Sequence, residues 1–128
     1  MNRTRWIDAI PYVTKDGSTI RELMHPDVHG NQGQSLAEAR LPPGGSTLLH
    51  RHLRSEEIYH VTEGAGLMQL GEQRLALTPG DTVAIPAGVP HALTNPGEVE
   101  LVLLCLCVPP YSHEETELLV PPPDAAAC

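Results

Sequence analysis

At 128 residues the chain makes one domain, large enough to bury a single core without disulfides and too short for a multidomain enzyme. Hydrophobic residues reach 41% but aromatics only 3%, with no Phe, so Leu, Val, Ile and Ala must fill the core. Sixteen acidic against eight basic side chains give a net charge of −8, which repels a phosphate backbone and excludes nucleic acid and anionic membrane surfaces as expected partners.

Thirteen Pro and eleven Gly interrupt the chain too often for long helices, and the β-branched residues between them predict short strands. The start MNRTRWIDAI lacks the apolar stretch of a signal peptide, so a cytoplasmic location is expected. Residues 1–18 read as an N-terminal arm, loosely held or packed on a neighbour. Thr19 to Met24 is a candidate edge strand, ended by His25-Pro26 and the turn-rich VHGNQGQ. Ser35 to Leu41 alternates and stops at Pro42-Pro43-Gly44-Gly45. Thr47 to His52, Ile58 to Thr62, Gly66 to Leu70 and Arg74 to Thr78 follow, the last two joined through Gly71-Glu72. After Pro79-Gly80-Asp81 come Thr82 to Ile85, His91 to Asn95 and Glu100 to Val108. This last is the longest apolar run and is far short of a bilayer span. Turns at this spacing predict an all-β sandwich or barrel over 19–112. Within a tail of 113–128, Ser112-His113-Glu114-Glu115 reads as a capping box opening one helical turn, halted by three prolines before a frayed DAAAC.

Cysteine is odd in number, and Cys105 and Cys107 stand too close on one strand for an ordinary structural disulfide, so no oxidising compartment is implied. Seven His are more conspicuous. His50 and His52, one residue apart on a strand, put both imidazoles on one face, a geometry suited to a shared metal ion. Glu57 follows at the start of the next strand, and His91 comes from a later one.

From Gly44 the chain fits G-x5-H-x-H-x4-E-x6-G, through His50, His52, Glu57 and Gly64. From Gly80 it fits G-x5-P-x-G-x2-H-x3-N, through Pro86, Gly88, His91 and Asn95. These frames resemble the two motifs of the cupin family at every defining position, with the short spacing of small single-domain bacterial cupins. The resemblance covers about Leu41 to Val108. It implies a jelly-roll β-barrel with His50, His52, Glu57 and His91 as metal ligands at the barrel mouth, and a homodimer. Three imidazoles and one carboxylate suit Fe, Mn, Ni, Co or Zn better than Ca, and on a six-coordinate ion they leave two positions open for a small-molecule substrate.

Strand parity places Glu57 inside and Glu56 outside. Tyr59 shares the inner parity, and either a hydrogen bond to substrate or core filling accounts for it. His60 falls outside, Asn95 reads as a turn stabiliser, and His25, His29 and His113 read as exposed. Arg51 and Arg54 are either gates for an anionic substrate or solvated loop charges. Cys105 and Cys107 read as inert packing; were their face the inward one, two thiols would lie in the barrel. No second carboxylate or lysine is evident inside. The functional expectation is a metal-dependent dioxygenase acting on a small chelating substrate, with a sugar or hydroxy-acid isomerase or epimerase and a non-catalytic binding module as alternatives. For the dimer, Thr19 to Met24 offers a sheet edge to a partner.

Overall fold

Frequent turns and inward-facing aliphatic side chains produce two antiparallel sheets in a computed structural model that describes residues 2–119. The strands are β1 (Tyr12–Val13), β2 (Thr19–Met24), β3 (Ser35–Leu41), β4 (His50–His52), β5 (Glu56–Glu63), β6 (Gly66–Leu70), β7 (Gln73–Leu77), β8 (Thr82–Ile85), β9 (His91–Thr94), β10 (Leu101–Val108) and β11 (Thr116–Leu118). One sheet runs β1-β2-β3-β10-β5-β8 and the other β11-β4-β9-β6-β7, the jelly-roll arrangement expected of the chain. Among the described residues, regular helix is limited to single turns at Trp6–Asp8 and Pro26–His29. The capping-box stretch forms one hydrogen-bonded turn, with the Thr116 amide donating to His113 O at 3.2 Å, and leads directly into β11. The proline run and the DAAAC tail lie outside the described residues.

The core is aliphatic, as the missing Phe requires. Met68, Ile85, Leu93, Leu101 and Leu103 are nearly inaccessible, together with Val61 and Leu77, and each such side chain contributes roughly 1.5–3 kcal/mol by leaving water. Parity holds across the larger sheet: Leu103, Cys105 and Cys107 of β10 stand opposite Val61, Tyr59 and Glu57 of β5, all on the inner face. Gly64, at φ +77°, lets the β5–β6 turn pass against the carbonyl of Glu100, where any Cβ would collide with backbone.

Three expectations change at the chain's margins. Thr19 to Met24 is not the edge of its sheet, because β1 pairs with Ile20 and Thr19 outside it. The N-terminal arm is tied down: Trp6 Nε1 donates to Glu38 Oε1 at 2.8 Å, and its ring lies under the guanidinium of Arg21 at 4.2 Å. Thr47 to Leu49 stays out of β4, since the amide of Leu48 bonds instead to Asp16 O at 2.8 Å, which draws the β1–β2 turn toward the barrel mouth.

Asn95 is fully buried and joins three segments. Its Nδ2 donates to Leu41 O and Val99 O at 3.0 and 2.8 Å, and its Oδ1 accepts from the Gly97 amide at 3.0 Å. Asn95→Ala leaves those backbone groups without partners and is expected to lower stability by about 3 kcal/mol, read as a shift in the urea midpoint at unchanged slope; a change under about 1 kcal/mol would contradict this anchoring role.

Candidate metal centre

The two His of β4 and the one at the start of β9 meet because His50 and His91 are direct partners across the β4–β9 pair. Ring centroids are 4.3 Å apart for His50 and His91, 5.2 Å for His50 and His52, and 5.4 Å for His52 and His91. One ring nitrogen of each lies within 4.8 Å of the others. Glu57 reaches in from β5 of the opposite sheet, its Oε1 3.1 Å from His52 Nε2 and 3.4 Å from His91 Nε2. Glu56 is exposed, as parity requires.

Hydrogen bonding determines which nitrogen each imidazole offers. His50 Nδ1 lies 2.7 Å from Leu48 O and His91 Nδ1 3.0 Å from Val89 O, and a carbonyl only accepts, so both Nδ1 atoms carry the proton. His52 Nδ1 lies 3.1 Å from Thr116 Oγ1, whose hydroxyl hydrogen is already donated to Ser112 O, so Thr116 must accept as well. All three Nε2 lone pairs are therefore left facing inward, the tautomer of a metal-ligating histidine. Burial, followed by the neighbouring His91, lowers the pKa of His50 and favours its neutral form.

Two polar atoms in this cluster are buried without a hydrogen-bond partner, His91 Nε2 and Glu57 Oε1. Such a pair is costly unless a further group satisfies it, and a divalent cation satisfies both at once. Burial raises the Glu57 carboxyl, and positive charge on the facing His52 and His91 would outweigh that and lower it to about 2. Its Oε2 accepts from the Cys107 thiol at 3.3 Å. The donor set thus fits a borderline-hard divalent transition-metal ion.

Beside the cluster a cavity runs between the sheets and opens to solvent. Tyr59 lines it, with its ring edge-on to His91 at 5.8 Å and its phenol pushed well above the usual range by burial. Cys105 and Cys107 line it too, so their face of β10 is the inward one and both free thiols lie in the barrel. A second carboxylate is also present, contrary to the sequence reading. Asp16, held by hydrogen bonds from the Ser18 amide and hydroxyl to its Oδ1, brings its Oδ2 to 3.5 Å from His50 Nε2.

His60 faces outward, bonded to Thr82. His25 is buried, a departure from the expected exposure. Its Nδ1 caps the following helical turn by accepting from the Asp27 amide, and its Nε2 meets Tyr111 O at 2.7 Å. Arg51 pairs with Glu117 at 2.8 Å and Arg54 approaches Glu115 at 3.9 Å, which turns both toward β11 and its approach. The residues that sequence reasoning missed are Asp16, Glu22, Tyr111 and Thr116; their one local signal was the turn composition of Lys15-Asp16-Gly17-Ser18.

A family model described as Cupin domain matches residues 37–107. A protein of Methanocaldococcus jannaschii named Uncharacterized protein MJ1618 is 51% identical over 117 residues, 91% of this chain and 94% of that one. The Oxalate-binding protein of Thermotoga maritima is 30% identical over 88 residues, 69% of each chain. In fold, the polyketide cyclase RemF from Streptomyces resistomycificus superposes with a TM-score of 0.81 at 22% identity, covering 97% of this chain and 89% of that one.

Burial, then the charge of Glu57, pushes both thiols far up. Iodoacetamide at pH 8 is accordingly expected to label Cys105 and Cys107 at least about tenfold more slowly in native protein than in urea, followed by peptide mapping; equal rates would contradict the protonated, shielded state.

Proposed function

The chain belongs to the cupin family, and from that premise we propose that His50, His52, Glu57 and His91 hold a divalent ion of Fe, Mn, Ni, Co or Zn and that the protein is a metal-dependent dioxygenase of a small chelating substrate. The observation that carries the reading is the convergence of three proton-free Nε2 atoms and an unpartnered carboxylate oxygen beside a cavity. When bound, such an ion supplies a Lewis acid with open positions for exogenous ligands and, as Fe or Mn, a route for electrons to O2.

The chain's own residues supply the rest. Leu48 O, Val89 O and Thr116 Oγ1 orient the imidazoles. Leu41, Leu93 and Leu103 give the cavity an apolar wall that excludes water. Tyr59 keeps its proton and is placed to donate a hydrogen bond to a ligand beside His91. One observation favours a second reading: Asp16 beside His50 gives the site a carboxylate able to move a proton, as isomerase or epimerase chemistry requires. The oxalate-binding relative supports a third, a binding module without turnover.

Among the described residues no helix is long and apolar enough to cross a membrane, and two free thiols in the cavity suit a reducing, cytoplasmic setting. A homodimer fits the arm, where Ile7, Ile10 and Val13 are 76%, 85% and 70% exposed beside a two-residue edge strand.

Protein purified without added metal is expected to carry about one transition-metal ion per chain by elemental analysis, and His91→Ala to weaken metal binding by about 100-fold or more. Absence of any metal uptake would overturn the metal centre. Anaerobic loading with Fe(II), then O2-electrode traces over diketones, catechols and thiols, tests the activity. Uptake with one class is expected; turnover without O2 would support the isomerase, and micromolar binding without turnover the binding module. In sedimentation a dimer is expected at micromolar concentration, and Ile10→Glu in the arm to shift it toward monomer; a monomeric wild-type chain would remove the dimer.

A further inference from the structure

The cavity walls carry a charge pattern that the metal centre does not explain. Asp16, Glu22 and Glu57 line the cavity, and no Lys or Arg does. All eight basic side chains are placed elsewhere. Lys15 donates to His113 O and Thr116 O, at 3.1 and 2.6 Å. Arg21 and Arg40 lie against Trp6 on the outer face. Arg51 and Arg54 turn to Glu117 and Glu115, while Arg3, Arg5 and Arg74 are exposed. The two positive charges of a divalent ion would be matched by Glu57 and Asp16 alone. A ligand that brought further negative charge would meet no cation in a wall of low dielectric constant.

Glu22 gives this pattern a direction. On the inner face, Glu22 of β2 shares a row with Ala37 of β3, Cys105 of β10 and Tyr59 of β5, so it stands three strands away from the strand that carries Glu57. Between them β3 presents Ser35, Ala37 and Ala39, whose small side chains keep the passage open, with Leu41 at its far end. Glu22 Oε2 accepts from the Tyr12 hydroxyl at 3.4 Å, while its Oε1 is buried with no partner. A buried carboxyl oxygen in that condition is destabilising until a donor reaches it. Burial also raises the pKa of Glu22, outweighing the charge of His25 and the Tyr12 hydroxyl, which lower it.

We propose that the cavity takes an uncharged or cationic small molecule bearing hydroxyl or amine donors, that Glu22 anchors its far end, and that anionic ligands such as dicarboxylates and sugar phosphates are disfavoured. The assignment rests on the metal-centre reading for the near end of the ligand only. Selectivity then has two parts: a chelating group is chosen at the histidines, and charge is chosen at Glu22, a specificity-determining position outside both sequence frames.

Three catechols with the same chelating head test this: dopamine, 4-methylcatechol and 3,4-dihydroxyphenylacetate, whose distal ends are positive, neutral and negative. Binding is measured by calorimetry to Zn(II)-loaded protein, which removes O2 chemistry, and to metal-free protein. Dopamine is expected to bind at least about tenfold more tightly than 3,4-dihydroxyphenylacetate, with 4-methylcatechol between them. Glu22→Gln, which keeps a partner for Tyr12, should shrink the dopamine advantage to about threefold or less while zinc uptake stays unchanged. Equal affinities, tighter binding of the anion, a gap that survives Glu22→Gln, or no binding in either form would each overturn the proposal. Failure to take up zinc with the charge preference intact in metal-free protein would overturn the metal centre and uphold the cavity assignment.

Discussion

Three oxygen acceptors behind three imidazoles are the constraint on which the site depends. Leu48 O, Val89 O and Thr116 Oγ1 each take an Nδ1 proton, and in doing so they decide that every Nε2 presents a lone pair to the same small volume. Without those acceptors a histidine is free to place its proton on the wrong nitrogen or to turn its ring. With them, the barrel holds the three imidazoles in an arrangement that suits a divalent ion, and Glu57 Oε1 and His91 Nε2 are buried there without a hydrogen-bond partner. The two carbonyls lie two residues before their own histidines, so the turns of the barrel supply them at no cost in sequence, whereas Thr116 comes from a segment 64 residues away.

The same division separates what the chain discloses in its pattern from what it does not. His50 and His52 share a face because a strand has a period of two, and Glu57 is preferred over Glu56 for the same reason; both facts depend only on local backbone geometry. The strands from β5 to β10 lie close to their expected bounds because Gly and Pro terminate them. Asp16, Glu22 and Thr116 had no such rule behind them. Asp16 reaches the site through a backbone hydrogen bond from Leu48 across 32 residues, and Thr116 lies in a three-residue strand too short to show any period. The burial of His25 likewise depends on Tyr111 O, 86 residues away.

The thiols of β10 show how one unresolved parity changes chemistry. Cys105 and Cys107 sit in an apolar strand whose two faces look alike in sequence, so only pairing with Tyr59 and Glu57 reveals which face is inner. Once they are inside, Cys107 becomes a donor to the Glu57 carboxylate beside the three histidines, and both small side chains help to keep the cavity open.

Lys15 deserves a last consequence. Its ammonium ties the β1–β2 turn to His113 O and Thr116 O, contacts separated by 98 and 101 residues along the chain. Contacts of such sequence separation close long loops, which costs chain entropy and slows folding relative to local contacts. His52 accordingly has no hydroxyl to receive its Nδ1 proton until the chain through Thr116 has been made.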